Sequence, residues 1–240
     1  MNTKEILRKA AEAAVSLQMI SDEVVSRVLK DVAAVLRESS DDILAANARD
    51  LARMSPDNPK YDRLKLTPER IDGIASDMEN VAGLPSPLGK ILSETFRPNG
   101  MTIHKVTVPF GVIGVIYEAR PNVTADVFSL CFRSGNVCVL KGGSDADESS
   151  RAIVSVIHRV LRAHEINPAV CTLLPADREA TAELLGAVGL VDLIIPRGSS
   201  SLINYVRDNA LYPCHRDGSR NLPHILRQIR RYGKGCRNSQ

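Results

Sequence analysis

The stretch "VIYEARPNVTADVFSLCFRSGNVCVLKGGSDADESS", Val115 to Ser150, decides how the rest of the chain is read. It opens on an apolar run and passes through the polar turn Tyr117-Glu118-Ala119-Arg120-Pro121-Asn122. It continues with helical period and closes on a second apolar run that ends at Lys141-Gly142-Gly143-Ser144. Strand, helical crossover, strand and glycine-rich turn is the building unit of a parallel sheet with helices on its faces. The dinucleotide fingerprint GxGxxG is absent from the 240 residues, so a nucleotide site has to be argued from other features.

Downstream the alternation continues. The short apolar runs 112–117, 137–140, 170–173 and 191–195 alternate with helical stretches over 123–133, 144–163 and 178–188, and a further helix starts near Ser199. This pattern predicts an α/β fold with a Rossmann-like parallel sheet covered on both faces. Upstream the period is helical. Ile6, Ala10, Ala13 and Leu17 share one face. Ser21 caps a second helix whose apolar stripe is Val24, Val28, Leu29, Val32, Val35 and Leu36. A third helix is expected over 41–53, then a polar loop over 54–66, then a fourth helix opened by Thr67-Pro68. Residues 91–97 and 101–108 flank Pro98-Asn99-Gly100, which predicts a β-hairpin with a type I′ turn, a surface ribbon or an oligomer contact. The expected organisation is a helical region over 1–90, the hairpin over 91–108, a cofactor domain over 109–213 and a basic tail over 214–240.

The composition is that of an ordinary globular protein, 44% hydrophobic and 25% charged, sized for one large domain or two small ones. No run approaches the eighteen apolar residues of a membrane span, and the first residues lack the pattern of a secretory signal. Five cysteines with no CxxC pair predict reduced thiols in a cytoplasm and argue against a zinc site. The net charge of +3 is unevenly spread: residues 214–240 hold six Arg and one Lys against one Asp, while residues 1–213 are net negative. A tail of that kind is compatible with a nucleic-acid arm, the one feature that points to that class.

In a parallel sheet the ligand lies beyond the carboxyl ends of the strands. Two such ends are polar. Lys141-Gly142-Gly143-Ser144 combines a cation with free N–H groups at a helix start, where anions are favoured; the alternative is a plain helix-opening turn with a solvated lysine. Arg197-Gly198-Ser199-Ser200-Ser201 follows the strand at 191–195 and offers close backbone approach and hydroxyl donors, or a cap beside an exposed arginine. At a third position, Asn122 can donate to a developing oxyanion or can cap the helix that follows. Cys131, Cys138 and Cys171 lie in apolar runs and read as buried, inert thiols. His104, His158 and His164 read as surface residues, and no metal-ligand spacing stands out.

Four segments carry a resemblance: "RPNG" (97–100), "VPFGVIGVIYEARPNVTADVFSLCFRSGN" (108–136), "VLKGGSDA" (139–146) and "LVDLIIPRGSSSLI" (190–203). They are similar to the γ-glutamyl phosphate reductase (glutamate-5-semialdehyde dehydrogenase) family of the aldehyde dehydrogenase superfamily, over residues 1–213. The resemblance implies NADPH-dependent reduction of L-glutamyl 5-phosphate to L-glutamate 5-semialdehyde in proline biosynthesis. It implies that Lys141, Gly142, Gly143 and Ser144 lie near the adenosine end of NADPH, and Arg197, Gly198 and Ser199 near the pyrophosphate. Asn122 would hold the oxyanion, and the hairpin would belong to an oligomerisation arm of a homo-oligomer, with no membrane or nucleic acid involved.

The family's nucleophilic cysteine sits in a later domain, and none of Cys131, Cys138, Cys171, Cys214 or Cys236 stands in its context. Where the family continues with Val-Ile-Glu-Thr, this chain reads Cys214-His215-Arg216-Asp217. The two strings are one nucleotide sequence in two frames: GTC-ATC-GAG-AC read one base earlier, after a T, is TGT-CAT-CGA-GAC. The basic tail therefore reads as a shifted frame, poorly packed, and the alternative to an active reductase is an inactive fragment or a nucleotide-binding module.

Overall fold

The computed structural model describes residues 2–214. Residues 3–83 carry five helical segments: α1 (Thr3–Leu17), α2 (Asp22–Glu38), α3 (Ser40–Leu51), the single turn α4 (Tyr61–Leu64) and α5 (Pro68–Gly83). Side-chain oxygens start three of them. Asn2 accepts from the N–H of Lys4, Ser21 from that of Val24 and Thr67 from that of Arg70, and Pro68 takes the first helical position, where no N–H is needed.

The segment 54–66, read as a polar loop, is a correction. Leu64 and Leu66 are buried, and the amide of buried Asn47 clamps both: its Nδ2 donates to the Leu64 carbonyl (2.8 Å) and its Oδ1 accepts from the Leu66 N–H (2.8 Å). The guanidinium of Arg70 holds the carbonyls of Asp62 and Lys65 from the other side. The loop is polar only at its tips, and its two leucines anchor it to the core.

The hairpin pairs β1 (Ile91–Phe96) with β2 (Thr102–Val106), antiparallel, and all eleven of its strand residues are exposed. Its turn differs from the expected type I′. Among the turn residues only Gly100 takes a positive φ, +83°, while Gly100 N–H closes on the Arg97 carbonyl and Asn99 Oδ1 accepts from the Met101 N–H. A type I′ turn needs positive φ at both central residues. Pro98 cannot supply it, because its ring holds φ near −65°.

The second half alternates β3 (Val112–Tyr117), α6 (Asn122–Arg133), β4 (Val137–Lys141), α7 (Asp147–Ala163), β5 (Cys171–Leu173), α8 (Arg178–Leu185), β6 (Leu193–Arg197) and α9 (Ser200–Asn209). The sheet is parallel in the order β5-β4-β3-β6. Every residue of β3 and β4 is buried, which is why these strands read as unbroken apolar runs instead of alternating. α6 and α7 pack on one face and α1 on the other, beside α8, and α2, α3 and α5 form an outer layer over α6 and α7. The α/β class, the Rossmann-like sheet and its covering on both faces match the sequence reading. β6 runs two residues later than expected, with Pro196 inside it. Pro196 is paired with Ile116 on the edge side of β3, where a missing N–H is tolerated.

Two buried polar links fasten the outer layer to the sheet half. Arg133, 6% exposed at the end of α6, pairs with Asp22 (2.8 Å), donates to Ser26 and reaches the Leu84 carbonyl. Asn47 also donates to Ser149 Oγ on α7 (3.0 Å). Of the basic tail only Cys214 is described, half-buried and bridged to Ile194 of β6. The rest of the expected tail, residues 215–240, lies outside the described residues.

Candidate functional site

Strand register brings the candidate residues to one end of the sheet. Ile116 pairs with Lys141 and Tyr117 pairs with Arg197, so the two cations flank the carboxyl end of β3. β3 is also where the strand order reverses, with β4 and β5 on one side and β6 on the other. An open α/β sheet forms its ligand crevice at that switch point.

The Lys141 side is closed. Lys141 is the last residue of β4, 5% exposed, and its ammonium donates to the Gly142 carbonyl (3.0 Å). Burial pulls its pKa below the ordinary lysine value, against the attraction of Asp177 and Asp147. The expected free N–H groups of the following helix are not free. The buried Asp50 carboxylate accepts from the N–H groups of Glu148 (3.2 Å) and Ser149 (2.8 Å) and from Ser149 Oγ (2.6 Å). A carboxylate already occupies the anion position of α7. Gly142 lies against Tyr117: a Cβ there would stand 3.4 Å from the phenol oxygen, which is itself bonded to Thr124 Oγ1 (2.8 Å). Burial pushes the Tyr117 phenol up to about 12.

The Arg197 side is open. A cavity of about 370 Å³ is walled by Tyr117, Glu118 and Arg120 from the end of β3, by Arg197, Gly198 and Ser199 from the end of β6, and by Lys60 and Arg63 from the helical layer. Ser199 caps α9 and donates its hydroxyl to Glu118 (2.6 Å). That bond, with the cations Lys60 and Arg63 nearby, holds the Glu118 carboxyl below the usual carboxylate range. A Cβ on Gly198 would lie 2.8 Å from Glu118 and 2.9 Å from Leu202, so only glycine leaves the wall in place. The first-turn N–H groups of Ser200 and Ser201, just outside the cavity wall, take no partner among the described residues and lie at the positive end of the α9 dipole.

Asn122 is the first residue of α6 and does not cap it. Its Nδ2 donates to Asp126 Oδ2 (3.3 Å), one turn on, which leaves the second amide hydrogen for another acceptor. Burial raises the Asp126 carboxyl, with Arg197 pulling the other way. Asn122, Lys141, Gly142, Gly143 and Ser144 are not among the walls of the cavity, whereas Arg197, Gly198 and Ser199 are. The structure thus brings one of the two expected cofactor turns into the cavity and sets the other beside it, beyond Tyr117.

Cys131, Cys138 and Cys171 are buried, as expected. The Cys131 thiol is pushed well up by its contact with Cys138 and by burial. The Cys138 thiol is also pushed well up: its hydrogen bond with Cys131 favours the thiolate, but contact with Cys171 and burial outweigh it. Two histidine readings are corrected. His158 is half-buried with Nε2 on the Cys171 carbonyl (2.7 Å), and His164 is half-buried against Asp31 (2.7 Å); His104 is exposed. No cluster able to hold a metal ion occurs among the described residues, and no described helix is long and apolar enough to cross a membrane.

Lys60, Arg63, Glu118 and Arg120 were not singled out by the sequence. Glu118 and Arg120 stand inside the motif that was quoted, but Lys60 and Arg63 lie 55 or more residues upstream in what read as a surface loop. The available signal was "YDRLKL" (61–66), whose two leucines betray an anchored segment.

No family model matches the chain. It is 70% identical over 219 residues to the gamma-glutamyl phosphate reductase of Parabacteroides distasonis, covering 91% of this chain and 53% of that protein. To the gamma-glutamyl phosphate reductase of Bacteroides thetaiotaomicron it is 63% identical over 203 residues, 85% of this chain and 49% of that one. The chain spans about half the length of the curated relatives it matches. Among solved structures, the gamma-glutamyl phosphate reductase of Thermotoga maritima superposes with a TM-score of 0.87 at 36% identity, over 92% of this chain and 54% of that one. A probable aldehyde dehydrogenase from Listeria monocytogenes shares the fold at a TM-score of 0.69 and 11% identity, over 88% of this chain and 44% of that one.

Proposed function

Because the chain belongs to the γ-glutamyl phosphate reductase family over about nine-tenths of its length, we propose that its described residues form the cofactor-binding part of an NADPH-dependent enzyme. That enzyme reduces L-glutamyl 5-phosphate to L-glutamate 5-semialdehyde, a step of proline biosynthesis in the cytoplasm. The observation that carries this reading is the pairing of Arg197 and Lys141 with the last two residues of β3, on either side of the switch point.

The residues fit a dinucleotide. Gly198 lets Glu118 and Leu202 close against the turn, and the first turn of α9 offers the unpartnered N–H groups of Ser200 and Ser201 for a pyrophosphate. Lys141, Gly142, Gly143 and Ser144 stand across β3 from that turn and are assigned to the adenosine ribose. NADPH, when bound, supplies the hydride. Asn122 keeps one amide hydrogen free for the oxygen that gains charge at the reacting carbonyl.

The described residues do not supply the nucleophile. A thiolate is required for attack on an acyl phosphate; Cys131, Cys138 and Cys171 are buried, the first two as thiols held in the protonated form, and burial pushes the half-buried Cys214 thiol up. The covalent step therefore belongs to a cysteine elsewhere in a complete enzyme, and the described part binds and orients. The hairpin supports a homo-oligomer: Ile91, Leu92, Phe96, Met101, Ile103 and Val106 are all exposed on it.

The test is a fluorescence titration of NADPH into the parent chain, Lys141→Ala and Arg197→Ala. Each replacement is expected to weaken binding about tenfold or more, the worth of a charge-assisted contact. Equal affinity in all three would remove the cofactor from this crevice.

A further inference from the structure

We propose that Lys60 and Arg63, carried by the connection between α3 and α5, form with Arg197 and the Gly198-Ser199 turn a clamp for a phosphate group of the ligand. The inference rests on the cofactor reading above and extends it to residues of the helical layer.

Four cations wall the cavity: Lys60 and Arg63 from the helical layer, Arg120 after β3 and Arg197 at the end of β6. None of the four has a carboxylate within 4.0 Å among the described residues, and they share one cavity wall. Glu118 is the one carboxylate in the wall, and its oxygen is taken by Ser199. The cavity therefore carries a surplus of positive charge, with Ser199, the N-cap of the ten-residue helix α9, in its wall. Clustered like charges cost free energy in an empty cavity, and an anion relieves that cost.

The clamp is also built to hold still. A lysine and an arginine on a surface loop normally lose much side-chain and backbone entropy when they grip a ligand. Here the backbone is already fixed: Asn47 holds the Leu64 carbonyl and the Leu66 N–H, and Arg70 holds the carbonyls of Asp62 and Lys65. Asn47 is in turn tied to Ser149, so the loop is registered against α7 and the sheet. Phosphate is the chemistry that fits. It needs several N–H donors from different directions, and an arginine meets it with two at once. Two sources offer that group: the dinucleotide and the acyl phosphate of the substrate.

The experiment uses the full chain and the double variant Lys60→Ala/Arg63→Ala, with Arg197→Ala alongside, and inorganic pyrophosphate, NADPH and NADH as probes in calorimetric titrations. The double variant is expected to weaken pyrophosphate about tenfold or more, and Lys60→Arg to retain near-parental binding. Loss of affinity for NADPH and NADH alike assigns the clamp to the dinucleotide pyrophosphate, and loss for NADPH alone to its 2′-phosphate. Weakened pyrophosphate with both dinucleotides unchanged assigns it to the acyl phosphate. If Arg197→Ala weakens NADPH while the double variant binds all three probes like the parent, the clamp is overturned and the cofactor reading stands. If pyrophosphate binding depends on Lys60 and Arg63 but neither dinucleotide binds the parent, the clamp stands and the cofactor reading falls. Absence of pyrophosphate binding to the parent overturns the clamp outright.

Discussion

The Asp50 carboxylate lies wholly inside the protein against the first turn of α7, bonded to two backbone N–H groups and the Ser149 hydroxyl. At α9 the corresponding carboxylate is Glu118, which takes the Ser199 hydroxyl at the cap and leaves the N–H groups of Ser200 and Ser201 without a partner among the described residues. Replacing Asp50 with alanine leaves buried donors without an acceptor, at a cost of about 3 kcal/mol. Asp50→Asn, which keeps one acceptor oxygen, is expected to lose about half of that. Urea unfolding of the three proteins measures both, and an unchanged midpoint for Asp50→Ala would show that the cap contributes nothing. The Lys141 turn was visible in the sequence because its residues are contiguous. Its loss as an anion site was not, because the occupying carboxylate lies 99 residues from Ser149 along the chain. Likewise His164 read as a surface residue because its partner Asp31 is 133 residues away.

At the level of elements, β3 and β4 were legible nearly to the residue, since strands covered on both faces must be apolar throughout. The helices of the first half were legible from their stripes and caps. What periodicity could not reveal was α4, a single turn whose position depends on Asn47 reaching across from α3. The hairpin was placed correctly, but its turn was not, because the Asn-Gly signal was weighed without Pro98 in front of it. Its exposed side chains make a specific expectation. A ribbon that presents Phe96 (74% exposed) and Leu92 (59%) to water is expected to bury them against a second copy at high concentration. Light scattering of the parent is expected to give a mass above that of one chain, and Phe96→Asp/Ile103→Lys is expected to lower it toward one chain. Equal masses for both proteins would exclude the hairpin as the contact.

Across the whole molecule, one histidine links pH to stability. Burial lowers the pKa of His158 below its ordinary 6.5, with Arg162 adding to the effect and the Cys171 carbonyl opposing it. A folded pKa below the unfolded one means that the unfolded chain takes up the proton first as pH falls. Stability is then complete above about 6.5 and declines below it, toward the folded pKa. Unfolding curves at steps from pH 7.5 to 5.5 are expected to show this decline, and His158→Gln to flatten it; an identical decline in the variant would assign the protons elsewhere. A different consequence attaches to Arg133 and Asn47. Each is buried, and each joins the helical layer to the sheet half through bonds that neither half makes alone. Anyone grafting the strands and crossovers of this chain onto a relative's helices would sever both joints at once. The workable splice carries Asp22, Ser26, Asn47 and the loop through Leu66 along with the sheet, so the two layers are exchanged as one block and not as separate modules.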